Sequence, residues 1–258
     1  MTHADKIAAA LRPIAPDGRL TNADVPLINQ LGALWEGRSP SAAASAALQI
    51  GLTVADYQAA ATALACTVAQ IRAVDEVESQ GGWFKDVRAD ILALDGPGGF
   101  IDGPHLPKIL FEAHIFDRHT EGRFRQGHPN LSSARWNRAL YVGGQAEWTR
   151  LYRAMQLAPR AALMSASVGR YQIMGFNHKL AGFDTVEAFW DAMKRSERDH
   201  LDAFVSFIRN AKLLAALRKI SNSPGDCVDF AKGYNGSGYA ANNYHVKIAA
   251  AHRKWSAA

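Results

Sequence analysis

Val74-Asp75-Glu76-Val77-Glu78-Ser79-Gln80-Gly81-Gly82 reads as the end of an amphipathic helix that carries a carboxylate on its apolar face and stops at a glycine pair. Val68, Ile71 and Val74 recur at helical spacing, and the next position on that stripe is Glu78. Burial disfavours the charged form of a carboxylate, and the partial negative charge at a helix C-terminus pushes the same way. Both raise its pKa, and a carboxyl group protonated near neutral pH is what a general acid requires. Gly81 and Gly82 suit a left-handed cap and leave the backbone open beside the carboxyl.

Working outward, the chain reads as mainly α: alanine is abundant and β-branched runs are rare. Thr21-Asn22-Ala23-Asp24 offers a helix start with Val25, Ile28, Leu31, Leu34 and Trp35 on one face. Thr53-Val54-Ala55-Asp56 caps a helix running to about Leu64, and Thr67 caps the one that carries Glu78. Residues 95–107 are rich in glycine and proline and predict a turn-filled excursion, with the apolar Ile109-Leu110-Phe111 following. Residues 118–137 are strongly polar and read as an exposed excursion near a cleft. One or two long helices are expected over 186–220 and a last helix ending near Trp255. We divide the chain into residues 1–50, a helical extension packed on the rest or a small separate module, and 51–258, the main domain.

The 258 residues suffice for a sizeable core without crosslinks. Cys66 and Cys227 lie far apart and form no metal-ligand pattern, so two ordinary thiols are expected. The net charge of +5 suits a polyanionic partner. Basic residues are dispersed and no nucleic-acid signature occurs, so the charge reads as directed to an anionic envelope surface or as solubilising, with no nucleic-acid partner. No apolar run is long enough for a transmembrane span, and Met1-Thr2-His3-Ala4-Asp5-Lys6 lacks the pattern of a secretory signal, so a protein made in the cytoplasm is expected. A monomer is expected.

Several groups outside the opening stretch carry polar chemistry. Gln172, in Tyr171-Gln172-Ile173-Met174, reads equally as a buried amide satisfied by backbone or as a site residue. Tyr234-Asn235-Gly236 is a turn signal with a polar pair, and Tyr239 and Tyr244 add flat faces with polar tips that suit sugar rings. Glu112, with His114 close by, reads as a polar anchor or as a second carboxylate, with Asp95 and Asp102 as rivals in the glycine-rich loop. His114, His119 and His128 are neighbours, but no HExxH or Cys/His framework occurs and no metal is expected. Phosphate loops, dinucleotide fingerprints and Gly-x-Ser-x-Gly elbows are absent, and no cofactor is expected.

Four segments in order carry a family resemblance. Glu78-Ser79 before glycine resembles the catalytic glutamate motif of the lysozyme-like superfamily, which includes goose-type lysozymes and soluble lytic transglycosylases. Ala166 to Gly175, with Gly169, Gln172, Ile173 and Met174, resembles its glycine-x-x-glutamine-isoleucine-methionine motif, and Tyr234-Asn235 its late tyrosine–asparagine pair. Pro107 to Phe116, and the ending from Tyr234 through Tyr239, Tyr244 and Lys247, are similar to the N-acetylmuramidase family of phage endolysins. The resemblance spans roughly Leu52 to Trp255. Many relatives carry an aromatic residue where Val168 stands and an apolar one where Arg170 stands.

That resemblance implies a lysozyme-like helical catalytic domain with a small irregular, β-containing excursion. It implies a peptidoglycan hydrolase that cuts the β-1,4 bond between N-acetylmuramic acid and N-acetylglucosamine in glycan strands. Glu78 would be the catalytic acid, and Ser79, Tyr171, Gln172, Tyr234, Asn235 and Tyr239 substrate contacts. Glu112, Asp95, Asp102 or His114 would supply a second carboxylate or its support. Such an enzyme would reach the periplasmic wall after release by a phage holin. A lytic transglycosylase using the same glutamate is the alternative, and a non-catalytic wall-binding or phage structural protein the alternative from another class.

Overall fold

Helices carry the architecture of this computed structural model, which describes residues 3–11, 28, 51–78, 81–84, 86–96, 99–101 and 105–257. The chain divides into two units, Met1–Gly51 and Leu52–Ala258. In the first, α1 (His3–Leu11) and the buried Ile28 are described. Val25, Leu31, Leu34 and Trp35 of the expected apolar face lie outside the described residues.

The second unit opens with α2 (Val54–Leu64) and α3 (Val68–Glu78). Each starts at a threonine whose hydroxyl caps the first turn while the residue three positions on reaches back to the threonine N–H: Thr53 with Asp56, and Thr67 with Gln70. A short α4 (Ala89–Leu92) follows. Then come β1 (Ile109–Phe111), α5 (Ala113–His119), α6 (Ala146–Leu157) and α7 (Pro159–Met164). A hairpin of β2 (Ala166–Val168) and β3 (Ile173–Met174) leads to α8 (Val186–Arg195) and α9 (Glu197–Asn210). The chain ends through α10 (Leu214–Lys219), α11 (Val228–Asn235) and α12 (Tyr244–Ser256). Where one or two long helices were expected over 186–220, three form. Ser196 ends the first by capping α9, its hydroxyl accepting from the Asp199 N–H.

The three strands form one antiparallel sheet in chain order. Strand alternation sends Ile109, Phe111, Ala166, Val168 and Ile173 into the core. The register then aligns Leu110, Ser167 and Met174 in a row across the opposite face. The core gathers Trp148, Trp190, Phe111, Phe116, Phe204 and Phe230, all closed to solvent. Helix α3 sits within it between α2 and α12, burying Ile71 and Val74 completely, as the stripe leading to Glu78 predicts. Cys66 and Cys227 are free thiols, the second fully buried. Among the described residues, no helix is long and apolar enough to cross a membrane.

Candidate active site

Glu78, the last residue of α3, faces a cleft of about 510 Å³. The row Leu110, Ser167 and Met174 forms part of its lining, so the sheet register itself lays out that wall. Gln172, Tyr234 and Asn235 line it from the hairpin turn and from the end of α11, and Glu112 and His114 from the start of α5. Beyond Glu112 the cleft opens into a wider lobe of about 1020 Å³, which shares Leu110, Glu112, His114, Asn235 and Gly236 with the first. Trp136, Arg138, Tyr141 and Val142 add to its lining.

Burial dominates the electrostatics of Glu78 and lifts its pKa from the ordinary 4.5 to about 7, against an opposing hydrogen bond from Tyr244. The Tyr244 hydroxyl, buried at the start of α12, donates to Glu78 Oε1. Burial and the adjacent carboxylate in turn hold the Tyr244 phenol well above its usual range, so it stays a donor. Glu112 has a different setting. Its Oε2 accepts from the Tyr141 hydroxyl at 2.5 Å and lies 3.2 Å from His114 Nδ1. The Trp136 indole N–H donates to the Tyr141 oxygen at 2.8 Å, making a chain Trp136–Tyr141–Glu112.

Behind the cleft, a buried polar network ties the end of α3 to the hairpin. Arg170 Nη1 lies 2.8 Å from Asp75 Oδ2, one turn before Glu78, and its Nη2 lies 3.1 Å from Glu197 Oε2. Tyr57 donates to Asp75, and Glu197 Oε1 accepts the Gly82 N–H at 2.7 Å. His200 completes the joint: its Nδ1 accepts the Arg170 N–H at 3.1 Å, which leaves Nε2–H to donate to the Met193 carbonyl at 2.6 Å. Burial, with Arg170 adding to it, pushes the imidazole down to about 4 and keeps it neutral. The glycine pair is thereby explained. Gly81 takes φ +118°, and a Cβ on Gly82 would stand 2.6 Å from His200 Nδ1.

The structure gathers Glu78, Gln172, Tyr234, Asn235, Glu112 and His114 around one cleft. Gln172 adopts a left-handed φ of +46° and is fully engaged, donating to the carbonyls of Lys108 and Gly169 and accepting from Ser167. Asn235 is exposed, and among the described residues its amide has no hydrogen-bond partner. Other expectations need correction. Tyr171 is buried and stacks on Phe204 at 4.2 Å, because the turn points it into the core. Its carbonyl accepts from Tyr234 at 2.6 Å, so the contribution of Tyr171 there is through backbone. Tyr239 packs edge-on to His245 and does not line the cleft. Tyr244 offers Glu78 its hydroxyl rather than a face for stacking. Asp95 staples its own loop by accepting the Phe100 N–H at 2.5 Å and lines neither lobe. Ser79 and Asp102 lie outside the described residues. Val168 faces the core and Arg170 the buried network, so neither departure from the common pattern alters the cleft surface.

Sequence reasoning missed Glu147. It is fully buried and pairs with Arg150 at 2.8 Å while accepting the N–H groups of Val142, Gly143 and Phe111. This one carboxylate fixes a wall of the wider lobe and the end of β1. A Glu-x-x-Arg pair on a helix was visible, but it reads as an exposed surface pair until the three backbone donors are seen.

A helical domain with a small antiparallel sheet and a raised-pKa glutamate at a cleft is the arrangement of lysozyme-like glycosidases. Comparison with known proteins agrees. The N-acetylmuramidase family model matches residues 67–256. The crystal structure of a Burkholderia AP3 phage endolysin aligns at 34% identity with a TM-score of 0.64, covering 99% of this chain and 86% of that one. No curated protein matches. The chain belongs to the N-acetylmuramidase family of peptidoglycan hydrolases.

Proposed function

We propose that this protein is a phage endolysin, acting as a monomer, that hydrolyses the β-1,4 bond between N-acetylmuramic acid and N-acetylglucosamine with Glu78 as general acid. The observation that carries the reading is the state of Glu78: a carboxyl group at the cleft, held by burial near pH 7 and oriented by Tyr244. With Tyr244 donating to Oε1, the acidic proton falls to Oε2, from which it passes to the leaving glycosidic oxygen. The C–O bond breaks and positive charge builds on the sugar's anomeric carbon. Glu112 supplies the second carboxylate of the cleft, held in place by Tyr141 and His114. It stabilises that charge and polarises the water that attacks. Asn235, with its amide uncommitted, is suited to the acetamido group, while Tyr234 braces the hairpin through the Tyr171 carbonyl. No metal or cofactor is assigned a role. The enzyme reaches the wall when a separate holin-like protein breaches the membrane.

Glu78→Gln keeps the shape and removes the proton. Turnover of purified peptidoglycan is expected to fall by about 10²–10⁴-fold with folding retained, the contribution of one general acid. Near-normal activity in a folded Glu78→Gln protein would sink the assignment. Mass spectrometry of wild-type digests should show reducing muramic ends; predominantly 1,6-anhydro ends would make the protein a lytic transglycosylase.

A further inference from the structure

The wider lobe of the cleft has a composition that cutting a bare glycan does not explain. It holds about twice the volume of the lobe at Glu78. Trp136 and Val142 on its wall are each 58% exposed, and they are among only five large apolar side chains that the described residues leave exposed. A concave site lined by apolar and aromatic side chains with a few polar groups is the ordinary form of a ligand pocket. Arg138 stands on the same wall, exposed and, among the described residues, without a carboxylate or carbonyl partner. Gly236, Ser237 and Gly238 also line the lobe. Gly238 has no left-handed φ, and a Cβ there would meet nothing within 4 Å. Neither conformation nor packing in the free protein demands glycine at 238, so the missing side chain leaves room in the lobe itself.

We propose that this lobe receives the peptide arm carried by muramic acid, with Arg138 pairing with a carboxylate of that peptide and Trp136 and Val142 covering its apolar part. The proposal rests on the muramidase reading and adds a second recognition element to it. Muramic acid differs from its partner sugar by the lactyl group that bears a short acidic peptide. A ribbon-like glycan fills a narrow groove, whereas a branched strand needs a lobe that widens to one side. A guanidinium matches a carboxylate through two parallel N–H donors, so an unpaired arginine on the widened side selects the acidic branch.

Soluble glycan strands carrying their peptides, and the same strands stripped by an amidase, test this with wild type, Arg138→Gln and Gly238→Val. On peptide-bearing strands Arg138→Gln should raise KM about tenfold, the loss of one charge-assisted hydrogen bond, at unchanged kcat. Gly238→Val should raise KM on the same substrate by narrowing the lobe. On stripped strands both variants should stay within about twofold of wild type, where one charge-assisted bond would be worth tenfold. Stripping exposes a lactyl carboxylate that is an amide in the peptide-bearing strand, so a loss confined to stripped strands would assign Arg138 to that group, and an equal loss on both substrates would assign it to the glycan they share; either result overturns the peptide assignment. Unchanged KM on peptide-bearing strands in both variants would overturn it too. A wild-type enzyme that releases no muramic ends from either substrate is a different result, and it defeats the muramidase reading itself.

Discussion

At Glu78, the burial that makes an acid also makes stability depend on pH. Its folded pKa of about 7 lies above the ordinary 4.5, so the folded state keeps a proton that the unfolded chain releases between those values. The contribution of this group is therefore full below pH 4.5 and is lost as pH rises through 7. Relative to Glu78→Gln, wild type should lose about 3 kcal/mol of unfolding free energy across that window, measured by denaturant titration at fixed pH values. A flat difference between the two proteins would show that Glu78 titrates normally. Tyr244→Phe tests the orienting hydroxyl. That hydrogen bond lowers the Glu78 pKa, so the alkaline limb of the kcat/KM profile, expected near 7, should move to higher pH in the variant. Movement to lower pH would contradict the assigned hydrogen bond.

At the scale of elements, the site depends on how α3 and the β2–β3 hairpin are joined. Arg170 sits two residues before Gln172, and Asp75 one turn before Glu78, so their ion pair links the two walls of the cleft. Replacing Arg170 with methionine would leave Asp75 and Glu197 buried without their cation. The expected cost is about 3–5 kcal/mol, because an abandoned buried charge loses its compensation. Equilibrium unfolding measures it, and a loss below about 1 kcal/mol would place the pair among ordinary surface bridges. The stripe ending at Glu78 and the caps at Thr53 and Thr67 were legible because each signal is local: a period, or a hydroxyl three residues from its partner. The Ser196 cap was equally local, in Ser196-x-x-Asp199, and was read through as helix. Tyr244 was not legible as the partner of Glu78, since 166 residues separate them and only the packing of α12 on α3 brings them together. Tyr171 was misassigned because its direction depends on the backbone of the turn, which residue types alone leave open.

For the whole molecule, the boundary after Gly51 separates two compact units. The core cluster of the second draws on residues from Tyr57 to Ala251. If residues 1–50 are a small wall-binding module rather than a packed extension, the second unit is complete without them. A chain starting at Leu52 should then keep its melting temperature and its rate on soluble strands, and co-sediment less with insoluble peptidoglycan. A melting temperature lowered by about 4 °C or more, the equivalent of roughly 1–2 kcal/mol for a domain of this size, would instead show that residues 1–50 are a packed extension that completes the core. The cleft as a whole was only partly readable from the sequence. Glu78 and the polar rim lie in motifs, whereas the cleft's width depends on Trp136, Arg138 and the backbone that Glu147 holds, none of which carries a local signature.

The unpaired cysteines have a consequence for where the enzyme can work. Cys66 and Cys227 are both thiols, and burial pushes the first up to about 11, far from the thiolate that would react. Assembly therefore waits on no oxidant and no isomerase. The fold is built without a disulfide, and the raised pKa makes the Cys66 thiol slow to oxidise. Dithiothreitol should leave both its melting temperature and its turnover where they are, and a catalyst indifferent to redox poise is ready on whichever side of a membrane it finds its wall.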